Sequence, residues 1–227
     1  MNRDADRRRL DEVRIVALTP SEFITHADEA MRIYAKAMGY SSQTGIQRAI
    51  TARRHTANDG FACRVAVAAD GKLLGFGYGY TTQVGQWWHD LVRRALREDD
   101  RHWMINAFEL SEMHVLPAAQ GAGLGYRILS ALGADISHDA ILLSTPDTDT
   151  RAFRLYRRMG FLDLARNYLF PGDVRPFAVL GARLPFAGPE PSDGEQAGNG
   201  QAGNERAGNE RAGAEHAGAE PPGPTGQ

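Results

Sequence analysis

The stretch at residues 108–132, FELSEMHVLPAAQGAGLGYRILSAL, decides how the rest of the chain is interpreted. Residues 108–115 have the apolar spacing of a strand, and Pro117 breaks the run. A glycine-rich turn at residues 120–125 then opens a helix whose apolar residues recur every four positions. The first backbone N–H groups of a helix lack internal partners, and glycine lets an anion approach them closely. The stretch therefore predicts a phosphate-binding turn between a strand and a helix.

The spacing of the glycines separates this turn from two other nucleotide-binding loops. A Walker loop requires Gly-Lys-Ser or Gly-Lys-Thr, whereas Tyr126 and Arg127 follow Gly125. A dinucleotide-binding loop has the pattern GxGxxG and an acid about twenty residues later. Here the glycines fall as GxGxG, and the only acids in that window are Asp135 and Asp139. Both alternatives are therefore weak matches.

The same stretch resembles motif A of the GNAT acetyltransferase superfamily. That motif is a strand ending in Val, often with Pro two residues later, followed by Gln or Arg-x-x-Gly-x-Gly or Ala. The residues that match it in register are Val115, Pro117, Gln120, Gly123 and Gly125.

A second stretch, TRAFRLYRRMGF at residues 150–161, resembles motif B of the same superfamily, a helix ending in Leu-Tyr-x-x-x-Gly-Phe. Leu155, Tyr156, Gly160 and Phe161 match it, whereas Asp149 stands where the family commonly has Asn. The two motifs are specific jointly rather than singly, and the resemblance covers residues 12–184.

The resemblance implies an α/β (α+β) GNAT fold, with a mixed central sheet of six to seven strands and helices on both faces. We expect residues 12–184 to form this domain, after a disordered N-terminus at residues 1–11. Residues 185–227 contain imperfect Gly- and Ala-rich pentads, from QAGNG to HAGAE, with excess acid and little apolar bulk. Such a composition predicts a disordered tail. At the other end, Thr19-Pro20-Ser21-Glu22 predicts a capped helix start, and Gly39 predicts the end of that helix.

The amino-acid composition limits the possible partners and location of the protein. Of the 227 residues 42% are hydrophobic, and the formal net charge is −2, which does not favour nucleic acid as a partner. No apolar run reaches the length of a membrane helix, and the polar N-terminus does not resemble a signal peptide. A single cysteine, Cys63, excludes an internal disulfide. We expect a cytoplasmic protein with no nucleic-acid or membrane partner.

The resemblance implies acetyl-CoA as co-substrate, and we expect no metal. The turn would hold the pyrophosphate, while the backbone of the preceding strand would pair with the pantetheine arm and polarise the acetyl carbonyl. The residues assigned to the cofactor are Met113, His114, Val115, Gln120, Gly121, Ala122, Gly123, Leu124, Gly125, Tyr126 and Asp149.

Acetyl transfer to an alkylamine requires a base, because the protonated amine has a pKa near 10.4. Glu109 and Glu112 are the preferred catalytic candidates, with Glu109 at the position where some family members carry their base. On an unbroken strand these two residues would face opposite sides, whereas a bulge could bring them together. His114 is a weaker candidate. Tyr156 occupies the position of the family's usual general acid, which protonates the departing thiolate.

The acceptor is not identified by the sequence beyond a small-molecule or peptide amine. Tyr34, on a helix that borders the acceptor pocket in the family, and Trp87 or Trp88 are candidate substrate-binding residues. Family members often pair through their closing strands, so a homodimer is an open alternative to a monomer. Two other functions stay open: an acyl-CoA-binding regulatory domain without turnover, and a transferase for a longer acyl-CoA. The second would need the glycine face of residues 73–81 to line an acyl cavity.

Overall fold

The structure is a computed structural model that describes residues 12–186, so the predicted disordered segment at residues 1–11 and all of the predicted tail at residues 185–227 except its first two residues lie outside the described residues. The strands are β1 Arg14–Leu18, β2 Ala62–Val67, β3 Leu73–Thr81, β4 Ala107–Val115, β5 Ala140–Pro146, β6 Leu162–Tyr168 and β7 Phe177–Arg183. The α-helices are α1 Pro20–Met38, α2 Ser42–His55, α3 Trp87–Ala95, α4 Leu124–Asp135 and α5 Arg151–Arg158. Short 3₁₀ helices span Glu98–Met104 and Pro117–Ala119.

Helix α1 begins and ends where the sequence predicts. The Glu22 backbone N–H donates to Thr19 Oγ1 over 3.3 Å, and the Thr19 N–H donates to Glu22 Oε2 over 2.8 Å. These two bonds form a reciprocal capping box. Gly39 ends the helix in the left-handed conformation at φ 67°. Local hydrogen bonding alone therefore determines the bounds of this helix.

The seven strands form one mixed sheet in the order β1-β2-β3-β4-β5-β7-β6. Only the central β4–β5 pair is parallel, and every other neighbouring pair is antiparallel. The apolar residues of α4 and α5 pack on one face of the sheet, and those of α1, α2 and α3 pack on the other. This arrangement confirms the predicted fold class of a mixed sheet between helices.

The glycine face of β3 is filled by packing. A Cβ on Gly75 would lie 3.2 Å from the Ile128 side chain of α4, and a Cβ on Gly77 would lie 3.0 Å from it. Phe76, Tyr78 and Tyr80, which alternate with the glycines, are buried on the opposite face. The glycines therefore let α4 approach the sheet closely, and they do not line an acyl cavity.

The packed domain extends slightly beyond the predicted boundary. The Phe186 ring packs against Phe161, with ring centroids 5.9 Å apart. The described domain thus includes two residues that the sequence analysis assigned to the tail. Within residues 12–186, no helix combines the length and the apolar character needed to cross a membrane.

Candidate active site

A gap opens in the middle of the sheet between β4 and β5. The two parallel strands pair only at Ala107 to Glu109, while β4 continues to Val115 and β5 to Pro146. Beyond the Glu109–Leu142 pair, the side of β4 that faces β5 therefore has no ladder partner. Because backbone N–H and C=O groups require partners when buried, this edge is suited to pair with an extended ligand.

A cavity of about 300 Å³ lies beside this gap. Its walls come from the end of β4, the turn after it, the first turn of α4, one face of α5, and Ala37 of α1. Nine of the eleven predicted cofactor residues line it: Met113, His114, Val115, Gln120, Gly121, Gly123, Leu124, Gly125 and Tyr126. The structure therefore brings the motif A residues together around one space. Ala122 and Asp149 do not belong to this lining.

Two glycines of the turn adopt conformations that other residues rarely take. Gly121 and Gly123 have φ values of 83° and 74°, in the left-handed region. A Cβ built on either residue would meet nothing within 4 Å. Backbone geometry thus requires glycine here, and the absence of side chains leaves the cavity wall open to a ligand.

The first turn of α4, like that of α3, differs from those of the three helices that have a side-chain cap. Helices α1, α2 and α5 are capped by the side chains of Thr19, Ser41 and Thr150, respectively. Helix α4 begins after Gly123 without a side-chain cap. Its first N–H groups therefore face the cavity with the positive end of the helix dipole, which favours a phosphate group.

Three arginines of α5 also line the cavity, and the sequence analysis did not assign them a role. Arg151, Arg154 and Arg158 recur at the spacing of one helix face, which was the signal that could have identified them. Arg151 Nη1 donates to Gln120 Oε1 over 3.3 Å, and this bond links the helix to the turn. The Asp149 carboxylate lies 2.9 Å from Arg154 Nη1, so Asp149 contacts a cavity residue instead of lining the cavity.

A bulge in β4 determines where the two candidate carboxylates lie. Tyr78 pairs with Glu112 and Gly79 with Leu110, so Ser111 is an extra residue on β4. The extra residue reverses the alternation of faces, and Glu109 and Glu112 therefore both lie on the face covered by α1 and α2. The prediction that a bulge could bring the two residues to one side agrees with this geometry.

Glu112 lies at the centre of a buried polar cluster. Its side chain is fully buried, Arg48 Nε donates to its Oε1 over 2.6 Å, and its Oε2 lies 2.6 Å from His114 Nε2. Tyr34 packs edge-on against His114, with centroids 5.1 Å apart. Burial, together with the charge of Glu112, raises the pKa of Tyr34 above its usual value. Arg48 matches neither sequence motif. It reaches Glu112 of β4 only because α2 packs against the sheet.

Glu109 has a different environment on the same face. It is buried, and Tyr80 Oη donates to its Oε1 over 3.2 Å. It is not among the residues that line the cavity. This carboxylate is therefore further from the cofactor space than His114, which does line it.

Tyr156 is buried at the end of α5, where its ring packs against Phe161 with centroids 5.3 Å apart. Its hydroxyl has no hydrogen-bond partner within residues 12–186. Burial first, and the charge of Glu112 second, raise the pKa of this phenol well above its ordinary value. Tyr156 therefore stays protonated at neutral pH and can donate its proton.

The predicted substrate residues lie on the α1 and α3 side of the sheet. Trp88 is buried, and its indole N–H donates to Ser144 Oγ over 3.1 Å. Trp87 is less buried and stacks on Phe170, with centroids 5.8 Å apart. Tyr34 contacts His114, as described above. Of the three, Tyr34 has the most direct connection to the cavity, and all three roles stay predictions.

Comparison with known proteins agrees with this geometry. Residues 102–170, which contain the whole of β4 through β6, match the model of the family described as FR47-like protein. A GCN5-like protein acetyltransferase of Mycobacterium tuberculosis is 37% identical, over 75% of this chain and 98% of the relative.

Solved structures share the fold at lower identity. A GCN5-related N-acetyltransferase from Kribbella flavida is 15% identical with a TM-score of 0.54, covering 77% of this chain and 99% of that one. A protein of Salmonella typhimurium, solved with its cofactor acetyl-CoA, is 15% identical with a TM-score of 0.52, covering 82% and 98%. The 37% identity over nearly the whole relative, together with the gap in the sheet and the uncapped glycine turn, shows that this chain belongs to the GNAT acetyltransferase superfamily.

Proposed function

We propose that this protein transfers the acetyl group of acetyl-CoA to a primary amine, by direct attack of the amine in a ternary complex. The observation that carries the proposal is the hydroxyl of Tyr156, which is buried without a partner in the described chain, on the helix α5 whose Ala152 and Leu155 line the cavity. A buried hydroxyl without a partner is costly, and a thiolate leaving group would supply one. The proposal thus explains an otherwise unsatisfied group at the position where a general acid is needed.

The residues of the cavity suit a coenzyme A molecule. The open turn at Gly121 and Gly123 and the uncapped first turn of α4 would hold the pyrophosphate. Arg151, Arg154 and Arg158 add positive charge along one wall. The free edge of β4 would pair with the pantetheine arm, and a backbone N–H at residues 113–115 would polarise the acetyl carbonyl.

The acceptor is proposed at the level of chemical class. The curated relative is named as a protein acetyltransferase, so a peptide amine is the first acceptor to test. Small amines are the second class, since nothing in the buried cluster around Glu112 selects against them. Tyr34, on α1 next to His114, is the proposed contact for the acceptor.

Two alternatives are less well supported. A regulatory acyl-CoA-binding domain would not need a protonated tyrosine and a buried His–Glu pair beside the cavity. A transferase for longer acyl groups would need space on the glycine face of β3, and Ile128 occupies that space. A cytoplasmic location, a homodimer and the absence of nucleic-acid and membrane partners stay predictions.

Calorimetric titration of acetyl-CoA into the full chain, beside Gly123→Trp, tests the cofactor site. We expect micromolar binding that the substitution abolishes, because an indole at Gly123 would fill the cavity. Turnover is then followed by release of free thiol, with an N-terminally free peptide, a lysine peptide, spermidine and kanamycin as acceptors. Cys63 is the sole cysteine and is buried, so the protein itself contributes little thiol signal. Binding without turnover of any amine would favour the regulatory domain.

A further inference from the structure

One titratable side chain connects the buried polar cluster to the cofactor space. His114 pairs with Glu112, and it also lines the cavity beside Met113 and Val115. The other charged or titratable residues of the described lining are Tyr126 and three arginines. None of those four side chains readily accepts a proton near neutral pH, whereas imidazole does.

The contacts of His114 fix both its orientation and its tautomer. Nε2 lies 2.6 Å from a carboxylate oxygen of Glu112, and a carboxylate can only accept a hydrogen bond. Nε2 therefore carries the hydrogen, and Nδ1 carries the lone pair. Tyr34 and Phe76 hold the ring from two sides, at centroid distances of 5.1 Å and 5.6 Å.

The two carboxylates are less suited to accept a proton from an amine. Glu112 is fully buried, and both of its oxygens have close partners, Arg48 and His114. Glu109 is as buried as His114, but it pairs with Tyr80 and lies outside the cavity lining. Protonating Glu112 would also leave the guanidinium of Arg48 buried beside a neutral group, which is costly.

We propose that the imidazole of His114 is the catalytic base and that Glu112 is its positioning residue, held in turn by Arg48. This inference rests on the acetyltransferase function proposed above. The His114–Glu112 pair resembles the imidazole–carboxylate pairs of other active sites. In those pairs the carboxylate selects the tautomer of the imidazole and stabilises the imidazolium.

His114 Nδ1 takes a proton from the amine as the nitrogen lone pair forms the C–N bond to the acetyl carbon. The C–S bond breaks, and the Tyr156 hydroxyl gives its proton to the leaving thiolate. The imidazolium then returns its proton, through solvent, to the tyrosinate as products leave. The sum is an amine and a thioester giving an amide and a thiol.

The charged and titratable groups around the His114–Glu112 pair come from several elements, and each bears on the pH dependence. They are Tyr34 of α1, Arg48 of α2, Glu112 of β4 and Tyr156, whose pKa also responds to Glu112. Arg48 and Glu112 compensate each other in charge, and both tyrosines stay neutral at neutral pH. A change in the pH–rate profile on replacing His114 would therefore be attributable to the imidazole.

The kinetic test compares His114→Gln and Glu112→Gln with His55→Gln as the matched control. His55 is a buried histidine on the same face that contacts Tyr78 and does not line the cavity. With acetyl-CoA and the most active amine of the panel, we expect kcat to fall about 100-fold or more for His114→Gln. The acidic limb of its pH–rate profile should disappear, and acetyl-CoA affinity should stay within about threefold. Glu112→Gln should lower kcat less and shift that limb, and added imidazole should partly rescue His114→Ala.

A second readout does not depend on turnover. Nitrogen-15 NMR of the histidine side chains should show His114 as the Nε2–H tautomer, and Glu112→Gln should weaken that preference. Turnover retained by His114→Gln with an unchanged pH profile would overturn the base assignment alone. An Nδ1–H tautomer would overturn it as well. A wild-type protein that binds acetyl-CoA but acetylates no amine would instead refute the proposed function, and the base assignment with it.

Discussion

The Tyr156 hydroxyl lies close enough to the Glu112 carboxylate for that charge to raise the pKa of the phenol, although the two side chains belong to opposite faces of the sheet. The gap between β4 and β5 is an opening in the sheet that separates these two faces. Tyr156 of α5 and the His114–Glu112 pair of β4 therefore come from opposite faces of the sheet.

Replacing Tyr156 with Phe should separate catalysis from stability. The hydroxyl is buried without a partner in the described chain, so its removal should raise the free energy of unfolding by about 1 kcal/mol. Loss of the general acid should lower kcat about 100-fold, with little change in acetyl-CoA affinity. Urea unfolding and steady-state kinetics measure the two effects. A loss of stability would show that the hydroxyl has a partner in the folded protein.

Stability should decrease at alkaline pH because of three buried acids. Burial raises the pKa of Tyr34, Cys63 and Tyr156, whereas in the unfolded chain they titrate near about 10 for tyrosine and about 8.5 for cysteine. Above those values the unfolded state loses protons that the native state keeps, so the free energy of unfolding falls as pH rises.

Urea unfolding at about pH 7, 9 and 10.5 measures this slope. Tyr156→Phe should flatten it above about pH 10, since one of the three groups is then absent in both states. A slope identical to that of the wild type would contradict the raised pKa of Tyr156.

The buried Arg48–Glu112 pair should show strong energetic coupling. Arg48→Met or Glu112→Gln alone should cost about 3–5 kcal/mol of stability, because each leaves an uncompensated buried partner. The double variant should cost clearly less than the sum, as measured by a thermodynamic cycle. The exposed Arg53–Asp28 pair, with a 2.8 Å contact, is the control, and Arg53→Met should cost at most about 1 kcal/mol. Additive effects at the buried pair would mean that it is solvated in solution.

The arginines of α5 should contribute to cofactor affinity through charge. The double variant Arg154→Gln/Arg158→Gln should weaken acetyl-CoA binding about 3- to 10-fold, and the loss should shrink as salt is raised. Arg157 is the matched control, since it pairs with Asp163 outside the cavity lining, and Arg157→Gln should leave binding unchanged. Calorimetry at two ionic strengths makes the comparison. If Arg157→Gln weakened acetyl-CoA binding as much per arginine as the double variant does, the arginines would act through the overall positive charge of α5 and not through contacts in the cavity.

Gly79 should be the least replaceable glycine of β3. A Cβ there would lie 1.9 Å from the Glu109 carbonyl oxygen, which is backbone and cannot move aside easily. Gly79→Ala should therefore cost more than about 2 kcal/mol and disturb the bulge that orients Glu112. Gly77→Ala would meet the side chains of Ile128 at 3.0 Å and Met113 at 3.4 Å, with the nearest backbone atom of β4 at 3.6 Å, so its cost should be smaller. Thermal unfolding of the two variants compares them, and equal costs would contradict the assigned contact.

The sequence by itself determined the elements whose causes are local. The cap at Thr19 and Glu22, the stop at Gly39 and the glycine turn at residues 120–125 depend on hydrogen bonds and backbone conformations within a few residues. Such features can be predicted because their partners are close in the chain. The fold class followed from their order and from the resemblance of two motifs.

The tertiary structure decided which side chains meet. Arg48 and Glu112 are 64 positions apart, and only the packing of α2 on the sheet brings them to 2.6 Å. The extra residue at Ser111 places Glu112 and Glu109 on one face of the sheet. A bulge of a single residue leaves no clear mark in the alternation of apolar and polar residues, so the sequence does not reveal it. Motif matching therefore identified residues that the structure brings together around one cavity, whereas the partners of the buried residues around it depend on long-range packing.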